Sequence, residues 1–304
     1  MPLMELGMIG LGRMGANMSR RLTAAGHRIV VYDRDKSAVS TMVAGGAAGA
    51  DSLTALTGQL RTPRAVWIMV PSGDPVDETI ASLSGSLSKG DILIDGGNSN
   101  YNDSIRRAAA ARQRGLDFLD VGTSGGIWGL KEGYSLMIGG TGESVERLRP
   151  IFESLAPAPD RGWAHMGPAG AGHFAKMVHN GIEYGMMQSF AEGFALLEKK
   201  KEFGFDLAKV AETWRHGSVV RSWLLDLTAD ALRENPTLQG IGPQVADSGE
   251  GRWMVAEAIA SDVPCPVITL SLLERIRSRV SDSFGNRMLA IMRNKFGGHA
   301  IHKT

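Results

Sequence analysis

Four residues within one helical stretch carry side chains that could do chemistry. In AKMVHNGIEYGMMQ, from Ala175 to Gln188, stand Lys176, His179, Asn180 and Glu183. Their spacing places them on a single stripe at 3.6 residues per turn. Apolar residues fill the neighbouring positions: Met177, Val178, Ile182, Met186 and Met187. One reading is the solvated face of an ordinary amphipathic helix. A solvated face, however, repeats Lys, Glu, Gln and Arg. This stripe instead offers an amine, an imidazole, an amide and a carboxylate, which together can take a proton, give one and orient a polar ligand. The helix is entered through GPAGAGHFA, whose Gly167, Gly170 and Gly172 let a ligand or another backbone come close.

The elements that would position such a stripe are legible upstream. Short apolar runs alternate with helical patterns from Met4 to about Met166: ELGMIG, RIVVYD, AVWIMV, DILIDGG, LDFLDVG and SLMIGG. That alternation predicts a doubly wound α/β domain with a largely parallel, Rossmann-like sheet. Beyond Gly167 strand signals nearly stop, and helical patterns run to about Asn294. The expected division is therefore residues 1–166 as a dinucleotide-binding domain and 167–304 as a helical substrate and dimerisation domain.

A first ligand site follows from MIGLGRMGANM. Gly10, Gly12 and Gly15 form a GxGxxG that follows a strand and opens a helix. The first glycine permits the tight turn, the second lets the backbone approach a pyrophosphate, and the third lets helix and strand pack closely. Leu11, Arg13 and Met14 belong to the same loop, whose phosphates would sit at the helix N-terminus. Asp33 ends the second strand roughly 20 residues on, where an acid accepts from the adenosine ribose. A carboxylate there repels a 2′-phosphate and favours NAD over NADP; NADP remains the lesser alternative, because the adjacent Arg34 can pair with a phosphate. Asp33 could instead cap the next helix. Val70, Pro71 and Ser72, after the fourth strand, and Asn98, after the fifth, lie at carboxyl ends where open α/β sheets bind ligands. Asn98 could also be a turn former. Ser124, Gly125 and Gly126 would present a hydroxyl and bare amides to an anion.

The totals exclude several classes. Lys plus Arg is 33 against 32 Asp plus Glu, a net charge of +1, so no global field draws nucleic acid or a membrane surface. No apolar run approaches the ~20 residues of a membrane span, and the N-terminus lacks a basic region before an apolar one. A soluble cytoplasmic protein is expected. The single cysteine, Cys265, reads as a buried structural thiol, and no metal-ligand cluster is visible.

Taken together, GLGRMGANM, DGGNSNY, SGG, KMVHNGIEYGMMQ, DSGEGRW and the C-terminal RNKFGGH resemble the 6-phosphogluconate dehydrogenases, in that family's order and over nearly the whole chain. The resemblance is to the short bacterial NAD-type form, within the wider β-hydroxyacid dehydrogenases. It implies 6-phosphogluconate as substrate, oxidative decarboxylation to ribulose 5-phosphate, and no metal. Lys176 would be the general base and Glu183 the general acid. Asn98, Ser124, Gly125, Gly126, His179, Asn180 and Tyr184 would position the sugar acid and its phosphate. Arg293 and His299 match tail residues that reach a neighbouring subunit's site, implying a homodimer or a higher even oligomer. A lysine acting as base near pH 7 needs a depressed pKa.

The chain also departs from the family's long form. SGEGRW stands where that form has Lys-Gly-Thr-Gly-x-Trp, so Ser248, Gly249 or Glu250 replaces a phosphate-binding lysine. Arg252 and Arg287 are nearby basic residues. Two rival readings remain at this point: a 3-hydroxyisobutyrate-type dehydrogenase using the same Lys176, and a non-catalytic dinucleotide-binding protein.

Overall fold

A computed structural model describes residues 2–301. Its strands are β1 (Glu5–Ile9), β2 (Arg28–Tyr32), β3 (Ala48–Gly49), β4 (Ala65–Ile68), β5 (Ile92–Asp95), β6 (Asp117–Ser124), β7 (Ser135–Gly139) and β8 (Trp163–Gly167). Between them run α1 (Arg13–Ala24), α2 (Lys36–Ala44), α3 (Leu53–Gly58), α4 (Asp74–Leu83), α5 (Tyr101–Gln113), α6 (Gly129–Glu132), α7 (Gly142–Arg147) and α8 (Arg149–Leu155). After the last strand come α9 (Ala171–Lys199), α10 (Leu207–Arg215), α11 (Trp223–Glu234), α12 (Glu250–Ala260), α13 (Pro266–Arg277) and α14 (Phe284–Gly297).

The strands form one sheet in the order β3-β2-β1-β4-β5-β6-β7-β8. The order reverses between β1 and β4, which puts a topological switch point at the carboxyl end of β1. All pairings are parallel except β6 with β7. The exception has a simple cause. The stretch between Ser124 and Ser135 is too short for the dozen or more residues that a parallel crossover needs, so the chain turns straight back. Central strands are buried on both faces, as helices on either side require: Met8, Val66, Ile94 and Leu119 are inaccessible or nearly so. The expected doubly wound sheet followed by helices is what forms.

Contacts divide the chain into two compact units, Met1–His179 and Asn180–Thr304. The division falls inside α9, later than the strand-to-helix change at Gly167, because the first turns of α9 pack on the sheet. The second unit has its own small core of Phe194, Ala211, Leu225, Ala229 and Leu232. It also holds an apolar cavity of about 600 Å³, lined by Phe190, Phe194, Trp214 and Val219 among others. One expectation is corrected here. Cys265 is half-buried, not buried, because it is the N-cap of α13, a position at a helix end; its carbonyl accepts from the Thr269 amide and hydroxyl.

Candidate active site

In the first unit the glycine loop is fixed by close contact. A Cβ at Gly15 would lie 2.0 Å from the Gly10 carbonyl oxygen, and Gly10 has φ +92° with Met69 O where a Cβ would go. At Gly12, by contrast, a Cβ would meet nothing within 4 Å, so the surface there is bare backbone facing open space. No side chain caps α1, which leaves its first N–H groups available to an anion. Asp33 does not cap the next helix; Asp35 does, accepting from Ser37 N. Asp33 instead accepts from Leu11 N at 2.6 Å and Asp35 N at 2.8 Å. One bond per oxygen holds the carboxylate beside the glycine loop and leaves it further lone pairs for a ribose hydroxyl. These residues fit a dinucleotide. Arg34 is exposed and lies 4.0 Å from Glu78.

The loops after β4 and β5 carry the next expected residues. Val70 is half-buried, Pro71 and Ser72 are exposed, and so is Asn98. Asn98 does not cap α5; Asn100 does, accepting from Asn102 N. Beneath both loops lies Arg107 of α5, 3 % exposed, which the sequence reading overlooked. Its Nε and Nη2 bind Asp77 at 2.9 and 3.0 Å. Its Nη1 binds Asp95 at 3.0 Å and Ser99 Oγ at 3.2 Å, and Nη2 also reaches Gly73 O at 3.0 Å. Burial works against this cation, but Asp77 and Asp95 outweigh it and leave the Arg107 pKa raised. Hydrogen bonds from Arg107, and then Arg106, hold the Asp77 carboxyl well below the usual carboxylate range. The available signal was a paired arginine, SIRRAAA, on an otherwise small and apolar helix face.

Ser124 ends β6 opposite Ser135, with Gly125 (φ +130°) and Gly126 (φ +50°) turning the chain away. Tyr134 packs below this turn: a Cβ at Gly125 would lie 3.2 Å from its ring. Asp120, inaccessible in β6, accepts from Gly170 N at 2.7 Å and His173 N at 2.8 Å, and so caps the start of α9. The helix then meets the sheet without intervening side chains. A Cβ at Gly172 would fall 2.4 Å from Asp120 O and 2.5 Å from Met137 O; one at Gly122 would fall 2.4 Å from Lys176 Cβ. That contact places Lys176 directly over β6. It is 8 % exposed, with its Nζ 3.4 Å from His179 Nδ1. The stripe is therefore not a solvated face: a lysine this deep in a fold is uncommon unless it is partnered or used.

In the second unit the stripe continues along α9 with Asn180, also 8 % exposed, and the half-buried Glu183. Tyr184 is buried; its hydroxyl accepts from Ser248 N at 3.3 Å, and the Arg275 guanidinium lies 3.5 Å from its ring centroid. The SGEGRW segment thus packs on Tyr184, with Gly251 against the ring. Arg252 and Arg279 both pair with Asp247 at 2.9 Å; the Arg252 bond comes first in holding the Asp247 pKa down at about 2. Arg287 pairs instead with Asp282. Arg293 stands exposed on α14. His299 follows the left-handed cap Gly298, its carbonyl accepting from Asn294 Nδ2 at 2.8 Å.

Residues 5–179 match the family model for the NAD binding domain of 6-phosphogluconate dehydrogenase, and residues 172–300 that for the 6-phosphogluconate dehydrogenase C-terminal domain. The chain is 44% identical over 300 residues to the YqeC protein of Bacillus subtilis (strain 168), covering 99% of this chain and 100% of that one. It is also 44% identical over 299 residues to a Haloferax volcanii protein named 6-phosphogluconate dehydrogenase, NAD(+)-dependent, decarboxylating, covering 98% of each. Among solved structures, the Plasmodium falciparum 6-phosphogluconate dehydrogenase superposes with a TM-score of 0.83 at 29% identity; the match covers 99% of this chain and 66% of that longer one. Mycobacterium tuberculosis 3-hydroxyisobutyrate dehydrogenase, at 23% identity and a TM-score of 0.75 over 92% of this chain and 95% of that one, shares the fold. This chain belongs to the 6-phosphogluconate dehydrogenase family.

Proposed function

We propose that the chain oxidises and decarboxylates 6-phosphogluconate to ribulose 5-phosphate and CO₂ with NAD as hydride acceptor. The observation that carries this reading is the burial of Lys176 on the face of α9 that also bears His179, Asn180 and Glu183. Residues 1–166 bind the dinucleotide, with Gly10 to Gly15 on the pyrophosphate and Asp33 on the ribose; the strand-end residues Val70 to Ser72 and Asn98 complete its nicotinamide side. NAD supplies the acceptor for the hydride leaving C3. Lys176, as the neutral amine, takes the proton of the C3 hydroxyl. As the ammonium it then polarises the C3 ketone, so that the carboxylate of the resulting β-keto acid departs as CO₂. Glu183 gives its proton to C1 of the enediol. Asn98, Ser124, Gly125, Gly126, His179, Asn180 and Tyr184 orient the sugar acid. Residues 167–304 supply the substrate side, and in a homodimer or higher even oligomer Arg293 and His299 serve the neighbouring subunit.

The test is release of CO₂ coupled one-to-one to NADH appearance with 6-phosphogluconate. Lys176→Met lowers kcat by the ~10²–10⁴ of a lost general base while leaving the melting curve intact. Near-normal turnover in that variant returns the stripe to a structural role. Wild type prefers NAD over NADP by about ten- to a hundredfold in kcat/KM, because a carboxylate faces the 2′-phosphate; Asp33→Asn narrows that gap. A wild-type preference for NADP overturns the assignment of Asp33.

A further inference from the structure

The loops after β4 and β5 share one fastener. Arg107 has five N–H donors in a rigid fork, and all five are spent. On one side it holds Gly73 O, at the end of the Val70–Gly73 loop, and Asp77 of α4, the helix that this loop enters. On the other it holds Asp95, which ends β5, and Ser99, which is 4 % exposed and adjoins Asn98. Asp95 in turn accepts from Gly97 N at 3.1 Å, so the grip reaches the backbone of the second loop. A Cβ at Gly97 would lie 3.1 Å from Val70 O, so the two loops also touch directly.

We propose that Arg107 is a positioning residue that couples the two ligands: it makes the cofactor loop and the Asn98 loop a single unit, so that ordering one by its ligand preorganises the other. The proposal rests on the function given above, in which Val70–Ser72 face the cofactor and Asn98 faces the substrate as well as the nicotinamide side. A purely structural brace raises stability without linking two affinities. A shared fork, one donor of which serves each loop, links them, and the linkage is reciprocal. Lysine cannot replace it, because its three donors radiate from one point and cannot span both loops.

The experiment measures the affinity for NADH, by its fluorescence, with and without saturating 6-phosphogluconate, and the converse titration by calorimetry. Wild type shows a coupling factor within the range of about 5- to 150-fold typical of linked sites. Arg107→Lys reduces that factor to near unity. Arg107 is buried, so Ser99→Ala provides a second variant that keeps the Asp95 pair: it weakens 6-phosphogluconate binding by about two- to tenfold, the worth of one hydrogen bond, and lowers the coupling. Wild-type coupling retained in a folded Arg107→Lys or in Ser99→Ala overturns the proposal, as does a wild type whose ligands bind independently. Either result leaves turnover of 6-phosphogluconate intact and so stands apart from failure of the functional reading, which would appear as a wild type that neither binds nor turns over this substrate.

Discussion

The two compact units treat their apolar side chains in opposite ways. In the first, every strand from β4 to β7 is buried over most of its length, and two charged side chains that enter the interior are fully engaged: Asp120 with two helix amides, Arg107 with two carboxylates. In the second, large apolar side chains face outward along whole helices. Val219 is 99% exposed and Phe284 67%, and Met288, Leu289, Ile291 and Met292 continue the exposure along α14. A sheet covered by helices on both faces closes its own core. A helical array closes only the faces turned toward each other, and a helix apolar on its outer side needs a further layer. Exposed apolar side chains of this size are the ones that the homo-oligomer proposed above would cover.

The sharpest way to break the contrast is at Asp120. Asp120→Ala strands two buried amides at the start of α9, and loss of two hydrogen bonds to a charged group costs about 3 kcal/mol or more. The urea midpoint falls accordingly; an unchanged midpoint would mean that α9 is held mainly by its packing. In the second unit the corresponding lever is apolar. Phe284→Glu leaves the isolated chain folded, because the side chain is already exposed, but places a charge in any covering interface. Sedimentation should show the oligomer dissociating, an effect of a few kcal/mol per buried unpaired charge; an unchanged oligomer removes α14 from the interface.

The smallest effects separate the units by pH. In the first, His27 Nδ1 accepts from Met4 N at 3.1 Å, which places its proton on Nε2, 2.8 Å from Ser154 Oγ. Burial lowers its pKa. A base whose folded pKa is lowered contributes stability above its unfolded pKa, near 6.5, and loses it as pH falls below that value. In the second, Asp247 has a folded pKa of about 2. Its contribution is complete above an unfolded pKa near 3.9 and disappears as pH falls toward 2. Lowering pH from 8 to 5.5 should therefore reduce the melting temperature of wild type but not of His27→Gln, whereas the gap between wild type and Asp247→Asn is full above about pH 4 and closes only below it. A wild-type melting temperature flat down to pH 5 would show that His27 charges without cost.

Much of this was legible in the chain itself, for physical reasons that can be traced to residues. Strands buried on both faces are continuous apolar runs, so AVWIMV and DILIDGG declare themselves, and a GxGxxG after a strand has few other uses. The polar stripe of α9 showed because helical spacing is local. What escaped was non-local. Asp120 is one acid in LDFLDVG, and nothing nearby in sequence shows that it meets Gly170 and His173. Arg107 gathers partners from α4, β5 and two loops. The antiparallel β7 is set by the length of the connection from β6, which no hydrophobic period records. The compact units part within α9 because its glycine-rich start packs on β6 and β7, which no composition shift at Gly167 could reveal.

The contact of Gly122, Gly139 and Gly172 bears on how this scaffold can change. A Cβ at Gly139 would lie 2.4 Å from Asp120 Oδ1 and 2.7 Å from Gly172 N, completing a three-way contact in which no member has room for a methyl group. Side-chain packing can be altered in small compensated steps, because a larger residue here is offset by a smaller one there. A joint made of backbone has no smaller partner to offer. Its members can be exchanged only together, and selection by single substitutions has no route through it. The loops around Lys176 are therefore open to redesign toward other hydroxy acids, while the site of Lys176 over the sheet is inherited as a block. A saturation library of the whole chain would show three silent columns at these positions even when it is scored for folding alone.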